Sequence, residues 1–87
     1  MKIVDGFILR QVAGDYVVVA VGNAVKKFNG VISLNETGAF MWKLLSEGIT
    51  EEELVKAVLG EYSVDEETAE ADVKAFVAKL KEADLVK

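Results

Sequence analysis

The sequence predicts an α+β domain, a small winged helix-turn-helix-like arrangement in which a three-stranded antiparallel sheet is followed by three helices. β-Branched and aromatic residues punctuated by glycine dominate up to Leu34, whereas Ala, Glu, Lys and Leu dominate from Asn35 onward. Strands segregated from helices point away from alternating βαβ units. A chain of 87 residues holds one core and little else, so residues 1–87 are read as a single domain, with strands in 7–34 and helices in 36–83.

Phe7–Val12 reads as a first strand and Ala13-Gly14-Asp15 as a turn. Tyr16–Val21 is the strongest strand signal, a β-branched run closed by Gly22-Asn23. It is apolar at both parities, so both of its faces are expected to meet apolar neighbours or partners. Ala24–Phe28 reads equally as a short strand or a wide loop. Asn29-Gly30 is a hairpin turn signal, because both residue types tolerate positive φ. Val31-Ile32-Ser33-Leu34 then makes a short strand with Ile32 and Leu34 on one face.

Asn35 suits the N-cap of a first helix that runs to Glu47, with Gly48 beyond its end and Phe40, Trp42, Leu44 and Leu45 as its apolar surface. Thr50 and Glu53 have the spacing of a capping box, opening a second helix with Leu54, Val55, Val58 and Leu59 as its stripe. Asp65 caps a third helix, where Ala69, Val73, Phe76, Val77 and Leu80 fall on one stripe. Leu85-Val86 closes the end of the core. The sheet needs these helices over one face, since three strands alone are marginal.

Composition narrows the chemistry. There is no Cys, His or Pro, so disulfides, zinc fingers and histidine-based triads are excluded. No Ser-x-x-Lys spacing, phosphate-binding glycine loop or calcium-loop spacing occurs. Glu51-Glu52-Glu53 and Asp65-Glu66-Glu67 open helices, where negative charge meets the positive end of the macrodipole. No catalytic residue, metal site or cofactor is expected. Residues 1–34 carry 4 basic and 2 acidic side chains, whereas residues 35–87 carry 6 basic and 13 acidic ones. An acidic second helix is a poor match to a phosphate backbone, which argues against nucleic acid as a partner despite the helix-turn-helix pattern. No apolar run approaches a membrane span and no signal-peptide pattern opens the chain, so the expectation is a cytoplasmic protein with no membrane partner.

What remains is the sheet edge. The stretch Lys26–Leu34 combines Lys26, Lys27, Phe28 and the β-branched Val31 and Ile32. An extended peptide could add there as another strand, main-chain hydrogen bonds supplying affinity and side-chain pockets supplying selectivity. The two lysines would favour an acidic peptide; equally, they could only guard the edge against aggregation. A second copy of the chain could also pair at this edge, giving a homodimer.

Leu34-Asn35-Glu36-Thr37-Gly38, then Trp42, Leu45, Gly48 and Thr50-Glu51-Glu52-Glu53-Leu54, resembles the PqqD family. So does the tail, with Tyr62-Ser63-Val64-Asp65, Ala71-Asp72-Val73, Phe76, Leu80 and Leu85. The resemblance covers residues 30–87, and residues 7–29 by strand pattern. It implies a RiPP recognition element: a non-catalytic peptide chaperone that binds the leader of a ribosomally made precursor and presents it to a modifying enzyme, often a radical S-adenosylmethionine maturase. In the family the leader lies as an added strand between the third strand and the third helix. Carried over, those elements are Phe28–Leu34 and Glu66–Ala83. The peptide-binding residues implied are Lys26, Lys27, Phe28, Val31, Ile32 and Ser33 on the strand side, with Val73, Phe76, Lys79 and Leu80 on the helix. Asp72 and Lys79 fall on one flank of the helical stripe and Lys74 and Lys81 on the other, and the sequence leaves open which flank faces the strand. The alternative function is a transcription-associated or scaffold winged-helix module.

Overall fold

The computed structural model describes residues 1–26 and 31–87. Strands β1 (Phe7–Val12), β2 (Asp15–Ala20) and β3 (Val31–Leu34) precede helices α1 (Glu36–Glu47), α2 (Glu51–Glu61) and α3 (Glu66–Glu82). The sheet is antiparallel in the order β1-β2-β3, so β2 is central and β3 is an edge. The expected small α+β domain, a three-stranded antiparallel sheet followed by three helices, is the observed one.

Local chemistry accounts for the element boundaries. The β1–β2 hairpin closes on Ala13 and Gly14, with φ of 51° and 86°. Two positive φ angles in a two-residue loop match the right-handed twist of the strands. Asp15 therefore begins β2 opposite Val12 instead of ending the turn. The Asn35 side chain accepts from the Gly38 N–H at 2.7 Å, capping α1. The Gly48 N–H closes α1 onto the Leu45 carbonyl at 3.2 Å. Thr50 and Glu53 form the complete capping box: the Glu53 N–H donates to Thr50 Oγ1 at 3.1 Å, and the Thr50 N–H donates to the Glu53 carboxylate at 3.3 Å. Asp65 caps α3, accepting from the Thr68 N–H at 2.7 Å.

Gly22-Asn23, read from sequence as a break, and Ala24–Lys26, part of the Ala24–Phe28 stretch read as strand or loop, form a 3-10 helix; the rest of that stretch lies outside the described residues. A link between the two ends of the chain was not visible in the sequence either. Ile3 bridges Val86, the Val4 N–H donates to the Leu85 carbonyl at 2.9 Å, and the Ile3 N–H donates to the Leu45 carbonyl at 3.0 Å. Ile3 and Leu85 are buried by this contact.

The core joins one sheet face to the helices. Val18, Met41, Trp42, Leu45, Leu54 and Val58 are buried in it, together with Ala69, Val73, Val77 and Leu80 of α3. Phe7 and Leu9 of β1 and Ile32 and Leu34 of β3 pack against it from the sheet. Phe40 and Tyr62 meet edge to face at 5.6 Å between centroids. α1 packs on β1 and β3, and α2 packs on α1 and α3. The opposite sheet face takes the other parity. There Ile8, Val19 and Val31 share a row, with Ile8 40% and Val31 62% exposed. The helices thus answer only one of the two apolar parities of β2. No helix among the described residues is long and apolar enough to cross a membrane.

Candidate functional site

The backbone of β3 is open on one side, and the register shows which groups it offers. In an antiparallel ladder, directly opposed pairs alternate between hydrogen-bonded and non-hydrogen-bonded. The Val21 N–H donates to the Gly6 carbonyl at 2.8 Å, and the two-residue hairpin closes on Val12 and Asp15. Both place Ile8–Val19 and Arg10–Val17 among the bonded pairs, so Val17 and Val19 turn their backbone groups to β1. Val18 and Tyr16 then turn theirs to β3, where they oppose Ile32 and Leu34. It follows that Val31 and Ser33 direct their N–H and C=O groups outward, away from the sheet. Among the described residues, four main-chain groups stand at this edge, two donors and two acceptors, in the spacing that another strand would match.

Beside that edge runs a groove of about 330 Å³. One wall is Ser33 and Leu34 with the first turns of α1: Asn35, Thr37, Gly38 and Met41. The other wall is α3, which contributes Asp72, Ala75, Phe76 and Lys79. Gly38 matters here because of close approach. A Cβ at this position would lie 3.1 Å from Asn35 Oδ1 and 3.5 Å from Phe76 Cε1. Gly38 and Met41 are buried and Phe76 is half-buried, which makes the floor apolar. Asp72 and Lys79 are exposed at the rim. A larger cavity of about 550 Å³ lies between residues 4–7, the 3-10 helix and the end of α3. It shares no lining residue with the groove. We place the site at the groove because it adjoins the outward-facing backbone.

The residues expected at the site divide into several groups. Ser33, Phe76 and Lys79 line the groove, and Val31 lies on the open edge. Ile32 points to the core face, half-buried. Val73 and Leu80, at 0% and 2% exposure, sit in the core, and neither lines the groove. The helical stripe is wide enough to bury its centre, and of its residues Phe76, at the margin, lines the groove. Lys26 ends the 3-10 helix and is not on the edge strand. Lys27 and Phe28 lie outside the described residues. The flank that faces β3 is the one with Asp72 and Lys79, whereas Lys74 lines a separate groove between α2 and α3. The other lining residues, Leu34, Asn35, Thr37, Gly38, Met41, Asp72 and Ala75, were not among the binding residues expected from sequence. The one signal available was a glycine inside the first turn of a helix, a position where capping asks for none.

Comparison with known proteins bears on this geometry. The family model described as coenzyme PQQ synthesis protein D (PqqD) matches residues 8–86. The chain belongs to the PqqD family. Two solved structures are similar to this PqqD-family chain. One is TbiB1 in complex with the TbiA(beta) leader peptide, 31% identical, with a TM-score of 0.78, covering 100% of this chain and 95% of that one. The other is lasso peptide synthetase B1 complexed with the leader peptide, 24% identical, with a TM-score of 0.74, covering 97% of this chain and 93% of that one; at that identity it speaks for the fold alone. No curated protein matches the chain. The PqqD-family assignment agrees with the resemblance carried by Leu34–Gly38 and the α2 and α3 motifs.

Proposed function

We propose that this protein is a non-catalytic peptide chaperone. It binds the leader segment of a ribosomally made precursor peptide as a fourth strand against β3 and presents it to a modifying enzyme. The observation that carries this reading is the outward-facing backbone of Val31 and Ser33 beside an apolar groove. Strand addition uses those two features, unpaired main-chain groups for affinity and a side-chain pocket for selectivity. Membership of the PqqD family and the likeness to TbiB1, solved with a leader peptide, support it. A radical S-adenosylmethionine maturase is the enzyme partner that the family setting favours. A binding role also suits a chain without histidine or cysteine, which leaves few groups able to exchange protons near neutral pH.

The test is amide-resolved NMR with the synthetic leader of a precursor encoded beside this protein's gene. The Val31 and Ser33 amides should shift and gain protection from hydrogen exchange on binding. A leader that binds and leaves both amides unprotected would overturn strand addition at this edge.

A further inference from the structure

We propose that the groove selects its guest by charge register: Asp72 and Lys79 favour peptides in which a basic and an acidic residue flank an apolar one on the helix-facing side of the added strand. This deepens the strand-addition reading and rests on it. Asp72 and Lys79 are the charged residues among the described groove lining, since the opposite wall offers the uncharged Ser33, Asn35 and Thr37. They lie seven residues apart on α3, two helical turns, about 10.5 Å along the axis and on the same face. Both are exposed, and no ion pair or hydrogen bond among the described residues engages either side chain. Between them stand Ala75 and Phe76, with Met41 and Gly38 behind.

A guest strand sets its own ruler. Side chains on one face recur every two residues, about 6.7 Å apart, so residues i and i+4 are about 13 Å apart. The flexible lysine stem covers the difference of about 3 Å from the helical spacing. The residue midway, i+2, then meets the apolar floor at Phe76. The matching guest reads charged-x-apolar-x-charged, with the basic residue against Asp72 and the acidic one against Lys79. Because Ile32 and Leu34 point to the helix side, this face of the guest is the one that β3 turns inward.

The test uses phage-displayed random 12-residue peptides, panned against the full chain and against the double variant Asp72→Lys with Lys79→Asp. The swap keeps net charge, and a thermal melt checks that the fold is kept. Wild type should enrich the charged-x-apolar-x-charged pattern in one order, and the variant should enrich the same apolar anchor with the two signs exchanged. Synthetic peptides of each kind should prefer their own protein by about two- to fivefold in affinity, the scale of exposed charge pairs. That preference should fade in 1 M salt, where screening is about 3 Å in range. Identical peptides with identical affinities from both proteins overturn the inference and leave strand addition standing. Panning that enriches no peptide at the groove overturns the strand-addition reading, and this inference with it.

Discussion

Gly38 approaches Phe76 so closely that an added Cβ would sit 3.5 Å from the ring, while also pressing on the Asn35 cap at 3.1 Å. Gly38→Ala therefore sets two local effects against each other. Helix propensity favours alanine by about 1 kcal/mol, and a loosened N-cap loses about as much. The melting temperature should move little, while peptide affinity should fall about threefold as the added methyl, in ordinary contact with the Phe76 ring, fills part of the groove floor. Calorimetry beside a thermal melt checks both, and unchanged affinity would separate Gly38 from the groove.

Proline distinguishes the two sides of β3. Ser33→Pro removes an N–H that faces outward and leaves the ladder to β2 intact. Peptide binding should weaken about tenfold, from one lost main-chain bond and the ring's bulk at the edge, with a small change in melting temperature. Ile32→Pro removes a bond to Val18 and should unfold the sheet. Similar melting curves for the two variants would show that the register argument has the wrong parity.

Core and groove positions on α3 should respond in opposite ways. Leu80→Ala removes a buried side chain and should cost about 3 kcal/mol of stability, and Val73→Ala about 2 kcal/mol, with near-normal affinity in the folded fraction. Phe76→Ala should cost less stability and most of the peptide binding. Denaturant titration and calorimetry on the same samples read both. A larger binding loss from Val73→Ala than from Phe76→Ala would return the stripe's centre to the site.

The β1–β2 turn holds an alanine at φ 51°, a conformation that costs an L-residue about 1–2 kcal/mol. Ala13→Asn, followed by Gly14, supplies the pair that such turns prefer. Stability should rise by about 0.5–1 kcal/mol with peptide binding unchanged, since the hairpin is remote from β3's outer edge. A destabilised variant would show that the alanine side chain has another role.

Two caps give the fold an acid limb. Hydrogen bonds from the Thr50 side chain and then its backbone N–H lower the Glu53 pKa. Hydrogen bonds from Thr68, side chain and then backbone, lower that of Asp65. A lowered folded-state pKa means that the unfolded chain takes up protons first as pH falls. The contribution is complete above the unfolded values and is lost as pH drops through the folded ones. Stability should be level above about pH 5 and decline below it. Asp65→Asn keeps an acceptor for the cap and removes one titrating group, so its decline should be shallower. Equal slopes in melts between pH 3 and pH 6 would refute the assignment.

Much of this was legible because local chemistry sets it. Asn35, the Thr50–Glu53 box and Asp65 mark helix starts within three residues of sequence, and Val17–Val21 admits few readings other than a strand. The rest depended on tertiary placement. The stripe Val73–Leu80 shows which side of α3 is apolar, but not that its centre is sealed in the core against α2 and that Phe76 alone of the stripe reaches the groove. Asp72 and Lys79 were recognisable as a flank, and only the position of β3 says that the flank faces the open edge. The 3-10 helix at Gly22–Lys26 starts on the Gly22-Asn23 break after the valine run, and its five residues are too few to show a helical period. The Ile3–Val86 bridge is a single pairing, too short to leave any periodic trace.

Among the described residues β3 spans Val31–Leu34, and its alternation leaves Val31 and Ser33 with their main-chain groups facing outward. Four such bonds, at about 0.5–1.5 kcal/mol net each, make a grip that dissociates readily, because differences in complex lifetime lie mostly in the off-rate. On the proposed reading, a strand held through these groups alone would exchange quickly, and the apolar contact with Phe76 would decide how much longer it stays.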